Sequence, residues 1–278
     1  MTAVLLALLT AVSYGIANYL GPLLSRTHPL GGVLLIGQGI GAVGAIGLLA
    51  YEGGAPPDAR HLLYGVLAGA CNGVALAALY TAAGAGPISI VSPIGATGAV
   101  VPVVVGIAGG ERPELLQLLG IPVAMVGVVL AAARHADAVQ HATRRTIAFA
   151  VLSAVAFGGF LSFFGRASAD GVPWAVMSSR VALLACTAAV LLARPVPVRV
   201  PARAVPAIAL PGVLLLVGTV AYATATTKGL LSVVSVIATL SPLVTVGLAV
   251  AVLGERLAPR QRVGVGAALL GVVLLAVG

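Results

Sequence analysis

One formal charge stands well inside an apolar run of this chain, and the chemistry open to the protein is read from it. Arg180 lies about seven residues into the stretch that starts at Pro173. A guanidinium near the centre of a bilayer costs about 2.5–3.5 kcal/mol. Two fates fit it. Its stem can snorkel toward the interface and its head cap a backbone carbonyl, or an anion can meet the charge. No carboxylate of the chain lies at matching depth. All seven acidic residues (Glu52, Asp58, Glu111, Glu114, Asp137, Asp170, Glu255) fall at or beyond the ends of apolar runs, as do His28, His61, His135 and His141. On the second of these fates the counter-charge is a carboxylate or phosphate brought by a small molecule; the first stays open alongside it. Gln38 occupies nearly the equivalent place in the first half, at an offset of 142 residues. Asn18 and Asn72 are amides in apolar runs, where glue between helices is the alternative role. Tyr14, Tyr80 and Tyr222 offer a hydroxyl and an aromatic face, to a substrate or to a core. Thr97, Ser162, Thr219 and Ser241 are expected to bond their own helix backbone. The candidate substrate-binding set is Arg180, Gln38, Asn18, Tyr14, Asn72 and Tyr222.

Other chemistries are missing. There is no HExxH, no Asp pair within a run and no Ser–His couple, so no enzyme is expected. Cys71 and Cys186 stand singly, without metal or disulfide spacing, and read as small packing residues. No cofactor or metal is expected. The net charge of +8 lies mostly in corners between runs. It suits membrane orientation and anionic head groups. Without interleaved aromatics it does not suit nucleic acid.

The elements that must position these residues are membrane helices. The chain is 60% hydrophobic and 8% charged, against about 25% charged in soluble domains. Apolar runs near 20 residues, broken by short polar or Gly/Pro corners, predict spans at about 3–24, 30–51, 62–83, 88–108, 114–133, 146–165, 173–193, 204–227, 231–253 and 261–277. The uncharged start and the polar Asn18 and Tyr19 argue against a cleaved signal. Tyr51 and Trp174, at span ends, read as interface anchors.

The chain also contains one stretch twice. GERPELLQLLGIPVAMVGVVLAA (110–132) and GERLAPRQRVGVGAALLGVVLLA (254–276) share eleven of twenty-three positions at an offset of 144. LTAVSYG (9–15) answers LSAVAFG (152–158) at 143. Such duplication defines the architecture: a first five-helix repeat over 1–133, a polar linker over 134–145, and a second repeat over 146–278. Five spans per repeat make the second copy enter the membrane from the opposite side, an inverted repeat with a site expected near the midplane. The GER stretch reads as a tight corner. Gly110 suits a left-handed helix cap and Pro113 a first helical position, with Glu111 and Glu114 at the favourable end of the dipole of the helix that follows.

These features resemble the EamA-type, ten-helix family of the drug/metabolite transporter superfamily. The resemblance rests on the two GER corners, the G-x6-G-V-V-L tails (Gly120 to Gly127, Gly264 to Gly271), Pro242, and SYGIANYLG at Ser13–Gly21. It implies a cavity lined by spans 1–4 and 6–9, with spans 5 and 10 as outer supports. It also implies a multi-pass protein of the cell membrane that exports a small polar metabolite without ATP. Small four-helix relatives carry a membrane glutamate in span 1, where this chain has Tyr14 and Asn18. That departure disfavours cationic drugs and a carboxylate proton relay. An anionic or zwitterionic substrate such as an amino acid is expected, with a lipid-linked sugar or polyprenyl-phosphate flippase as the alternative. The glycine faces allow a monomer or a homodimer. With the termini in the cytoplasm, as the resemblance implies, that side holds Arg60, Arg112, Arg166 and Lys228. The other side holds Arg26, Arg134, Arg144, Arg145, Arg194, Arg199, Arg203, Arg256, Arg260 and Arg262, which by charge bias alone favours termini outside.

Overall fold

The computed structural model describes residues 1–25, 27–85, 88–132, 143–193, 197–253 and 257–278. No strand occurs among them. The first half comprises α1 (Thr2–Ser25), α2 (Leu30–Glu52), α3 (Ala59–Ala85), α4 (Ile88–Ala96), α5 (Val100–Ala108) and α6 (Leu115–Ala132). The second comprises α7 (Arg144–Ser168), α8 (Val172–Ala193), α9 (Val205–Thr226), α10 (Leu231–Ala238), α11 (Ser241–Leu253) and α12 (Pro259–Val277). Among the described residues, nine stretches are long and apolar enough to cross a membrane, and a shorter apolar helix runs over Pro93–Ala108. Gly110 takes the left-handed conformation expected of it, with φ +97°. α7 begins at Arg144, two residues before the expected start, because Thr143 caps it: its Oγ1 accepts from Thr146 N at 3.1 Å. The rest of the expected linker and the second GER corner lie outside the described residues.

Two expected spans are not continuous helices. Span 4 divides at a 3-10 turn over Thr97–Ala99, and span 9 at Thr239–Leu240. The cause is local. Pro242 has no N–H to give the Ala238 carbonyl, and Pro102 has none for Gly98, so each helical ladder loses a bond at the break. Equivalent breaks in the two halves leave backbone groups near the middle of the molecule, where only protein can surround them.

Alanines make up much of the core, around a cluster of larger side chains that includes Phe160, Leu161, Phe164 and Tyr222. Ala7, Ala11, Ala45, Ala68, Ala124 and Ala268 are buried, while Leu5, Val43, Leu115 and Leu192 point outward. Apolar side chains outside and small ones inside is the pattern lipid imposes, since close backbone fit replaces the hydrophobic effect between helices. The packing follows an exchange rule. α1 packs on α9 as α3 packs on α7, and α2 packs on α9 as α3 packs on α8. α6 packs on α12, and there the repeated residues meet. A Cβ on Gly127 would fall on the Ala268 backbone, and one on Gly271 on the Ala124 backbone. The echo at 9–15 and 152–158 serves the breaks. Gly15 lies against Ser241 and Val244, and Gly158 against Gly98 and Val101. Each half thus supplies the glycine against which the other half's broken span lies.

The exchange is not complete, and several pairs depart from it; one of them spans the two broken helices. α5 packs on α10. Their exchange counterparts, α11 and α4, are not a packed pair among the described residues. Ser232 through Ala238 of α10 are all buried, whereas the described residues of α11 are half-buried or exposed. α5, α10 and the start of α1 share the end of the molecule that carries residue 1, where Gly229 abuts Ala3. The packing of α5 on α10 closes that end between the two halves.

Replacing Gly127 or Gly271 by valine should destabilise the protein by a similar amount, about 1–3 kcal/mol or more. Thermal unfolding in detergent would read it. Gly266→Val, which meets nothing within 4 Å, should leave the midpoint near that of the parent.

Candidate functional site

Mid-helix positions of α1, α2, α8 and α9 bring four polar side chains into one network. Arg180 on α8 is 6% exposed. It donates through Nη1 to Gln38 Oε1 on α2 at 3.2 Å, and through Nη2 to Thr219 Oγ1 on α9 at 3.1 Å and to the Leu215 carbonyl at 3.5 Å. Thr219 Oγ1 in turn donates to the Leu215 carbonyl at 2.6 Å and lies 3.1 Å from the Tyr14 hydroxyl on α1. A threonine hydroxyl has one proton and two lone pairs. With its proton on Leu215 and one lone pair on Arg180, it accepts from Tyr14. The direction of each bond follows from that inventory, and Tyr14 keeps an oxygen able to accept another donor.

Local packing makes room for the guanidinium. Gly41, one turn beyond Gln38, faces it: a Cβ there would sit 2.9 Å from Nη1. On the other side Gly69, Asn72, Phe160, Ser179, Leu183 and Thr219 enclose, with Arg180, a cavity of about 10 Å³. That is room for about one water. The partners of Arg180 are amide, hydroxyl and carbonyl, all neutral. They satisfy its N–H groups but leave its charge uncompensated, and a buried unpaired charge is costly.

Of the expected site residues, Arg180, Gln38 and Tyr14 meet in this network, and Asn72 lies beside it. Asn18 is exposed and outside it. Tyr222 is fully buried elsewhere on α9, where its hydroxyl donates to the Leu161 carbonyl at 3.0 Å and lies 2.7 Å from Ser235 Oγ. Its ring stacks on Phe164 with centroids 6.2 Å apart, so it ties α9 to α7 and α10. Tyr80's side chain lies outside the described set. Ser162 and Thr97 bond their own helices, at 2.8 and 2.7 Å, as expected. Thr219 does so too and in addition joins Arg180 to Tyr14, a second role that its sequence context does not signal. Gly41 left one sequence sign, its i, i+3 spacing from Gln38.

The remaining polar cluster sits at the molecular edge. His61 Nδ1 lies 3.5 Å from both Asp58 Oδ2 and Asp170 Oδ2. These three residues have metal-ligand types, with ligand atoms within 4.8 Å of one another. Both aspartates are well exposed, so solvent screens the group.

Thr219→Val should cost about 1–3 kcal/mol of stability, because it strands a buried Arg180 N–H and the Tyr14 hydroxyl. Thr219→Ser should restore most of it. Thermal midpoints of the two variants in detergent check this.

Comparison with known proteins places the architecture. No curated protein matches the chain. A solved structure titled only "Crystal structure of protein" superposes with a TM-score of 0.80 at 15% identity, covering 99% of this chain and 96% of that one. At that identity it speaks for the fold alone. The model of the EamA-like transporter family matches residues 1–133 and 144–277. Duplicated halves, membrane-length helices and this match agree: the chain belongs to the EamA-like transporter family of multi-pass membrane proteins.

Proposed function

We propose that the protein is a secondary transporter that exports a small anionic or zwitterionic metabolite, such as an amino acid, across the plasma membrane by alternating access. The observation that carries this reading is Arg180: a buried cation, midway along its helix, held by neutral groups from both halves. A carboxylate entering beside it would supply the missing charge and could displace Gln38 or the single water that the adjoining cavity admits. Binding there would loosen the tie between α8 and α2, and with it the tie between the two halves. The nearness of Asn72 and the Tyr14 hydroxyl to Arg180 supports this reading, since both would join a polar lining around a bound α-amino acid.

The unequal packing of exchange-related elements supports alternating access. A repeat whose copies adopt two different arrangements has a second state available to it, in which the arrangements are swapped. In that state α4 would pack on α11, and α5 would part from α10. A ligand moves such an equilibrium only by binding one state more tightly. The exposed amide of Asn18, on the half of α1 away from residue 1, would lie along a path to Arg180 in such a cycle.

One observation favours a second reading, a flippase for a lipid-linked substrate. An apolar groove of about 510 Å³ runs between α1, α2 and α9, lined by Leu6, Leu9, Gly44, Leu48, Leu216 and Val220. It would hold an acyl or polyprenyl chain beside the network.

Proteoliposome uptake of amino acids and organic anions distinguishes the two. Arg180→Ala should reduce transport of an anionic substrate by tenfold or more, and Arg180→Lys should recover little, since a lysine lacks the planar fork that bonds Gln38 and Thr219 together. Undiminished anion transport by Arg180→Ala would remove Arg180 from the site. Binding of a polyprenyl phosphate with no response to free amino acids would establish the flippase reading instead.

A further inference from the structure

The GER corner of the first half does something its sequence position does not announce. Glu111 was expected to serve the helix that follows it. Instead its carboxylate reaches into the other half. Oε1 accepts from the backbone N–H of Leu231, and Oε2 accepts from that of Ser232 at 3.0 Å. These are the first two N–H groups of α10, which have no partner within their own helix. An anion at a helix N-terminus also meets the positive end of its dipole. The contact is built for. Gly106 of α5 is buried, and a Cβ there would collide with the Glu111 carboxylate. Leu230, at the N-cap of α10, makes no side-chain cap bond, so Glu111 does that work from the opposite repeat.

The place of this bond gives it a further meaning. α5 and α10 close the end of the molecule carrying residue 1, and their exchange counterparts, α11 and α4, are not a packed pair among the described residues. The carboxylate spans the seam between them. We propose that Glu111 is a latch: its double bond to the start of α10 holds the termini end shut, and it must release before that end opens. This rests on the alternating-access reading. In the opened state α5 and α10 separate, and the carboxylate exchanges two charge-assisted bonds for water. The latch therefore sets the resting population of the two states, and a substrate need only bias an equilibrium already poised by it.

The test reads opening without a substrate. Val236 of α10 is 1% exposed. A Val236→Cys reporter, with Cys71 and Cys186 replaced by alanine, is placed in lipid nanodiscs and titrated with a hydrophilic maleimide. Glu111→Gln keeps the shape but offers one acceptor oxygen and turns an amide N–H toward the other donor. Gly106→Ala keeps the carboxylate and displaces it; the new Cβ meets the flexible carboxylate first and lies 3.3 Å from the Ser232 backbone nitrogen, a contact that a shift of a few tenths of an ångström relieves. Both should raise the labelling rate by tenfold or more, while Glu114→Gln, at an exposed position of the same corner, should match the parent. Should Glu111→Gln fail to give monodisperse protein, Gly106→Ala decides. Labelling at the parental rate in folded variants overturns the latch. The outcome is separable from the function proposed above. Faster labelling without transport of amino acids or organic anions leaves the latch standing and removes the anionic-metabolite reading, whereas such transport with unchanged labelling does the reverse.

Discussion

Between helices in hydrocarbon, the one attraction that scales with sequence is closeness of fit, and this structure is organised by where two backbones are allowed to touch. Gly127 against Ala268 and Gly271 against Ala124 bring α6 and α12 into backbone contact. Gly15 and Gly158 do the same for the broken spans. Each of these contacts joins one repeat to the other. The halves are therefore not two folded units that later dock. Each is completed by the glycines of its partner, and neither broken span has its mid-membrane backbone enclosed without them.

Against this close-packed frame the polar network is an exception with a reason. Tyr14, Gln38, Thr219 and Arg180 come from four helices and both repeats, and their hydrogen bonds are assigned without conflict. Hydrogen-bond satisfaction is not charge neutralisation. A guanidinium surrounded by neutral oxygens is fixed in position yet still carries its field into a region of low dielectric. The network thus holds a cation in a fixed orientation at the boundary between the two halves.

The repeat is duplicated in sequence but not in arrangement. The termini end has α5 on α10, whose residues Ser232 through Ala238 are buried, with Glu111 across the seam. The other end leaves α11 half-exposed. Two related units thus pack differently within one chain, and a repeat of that kind is the sort of element that a two-state motion would use.

Much of this was legible in the residues. Low charge, membrane-length apolar runs and the repeated stretch determined an all-helical membrane protein in two halves, because hydropathy and identity are properties of the chain itself. Arg180 could be singled out because a charge within an apolar run is rare, and Gln38 because the repeat offset pointed to it. The roles of the repeated identities were only partly visible. Gln117 and Gln261 each accept from the backbone N–H three residues earlier, a local bond that spacing alone could have suggested. The partners of Glu111, Gly15 and Gly127 lie 120 or more residues away in the chain, beyond any local pattern. Only the tertiary structure decided that Thr219 rather than Asn18 or Tyr222 completes the polar network, and that spans 4 and 9 break. It also decided that Glu111 serves the opposite repeat. Such choices depend on which helix faces which, and in a chain apolar on nearly every face the sequence does not mark the facing side.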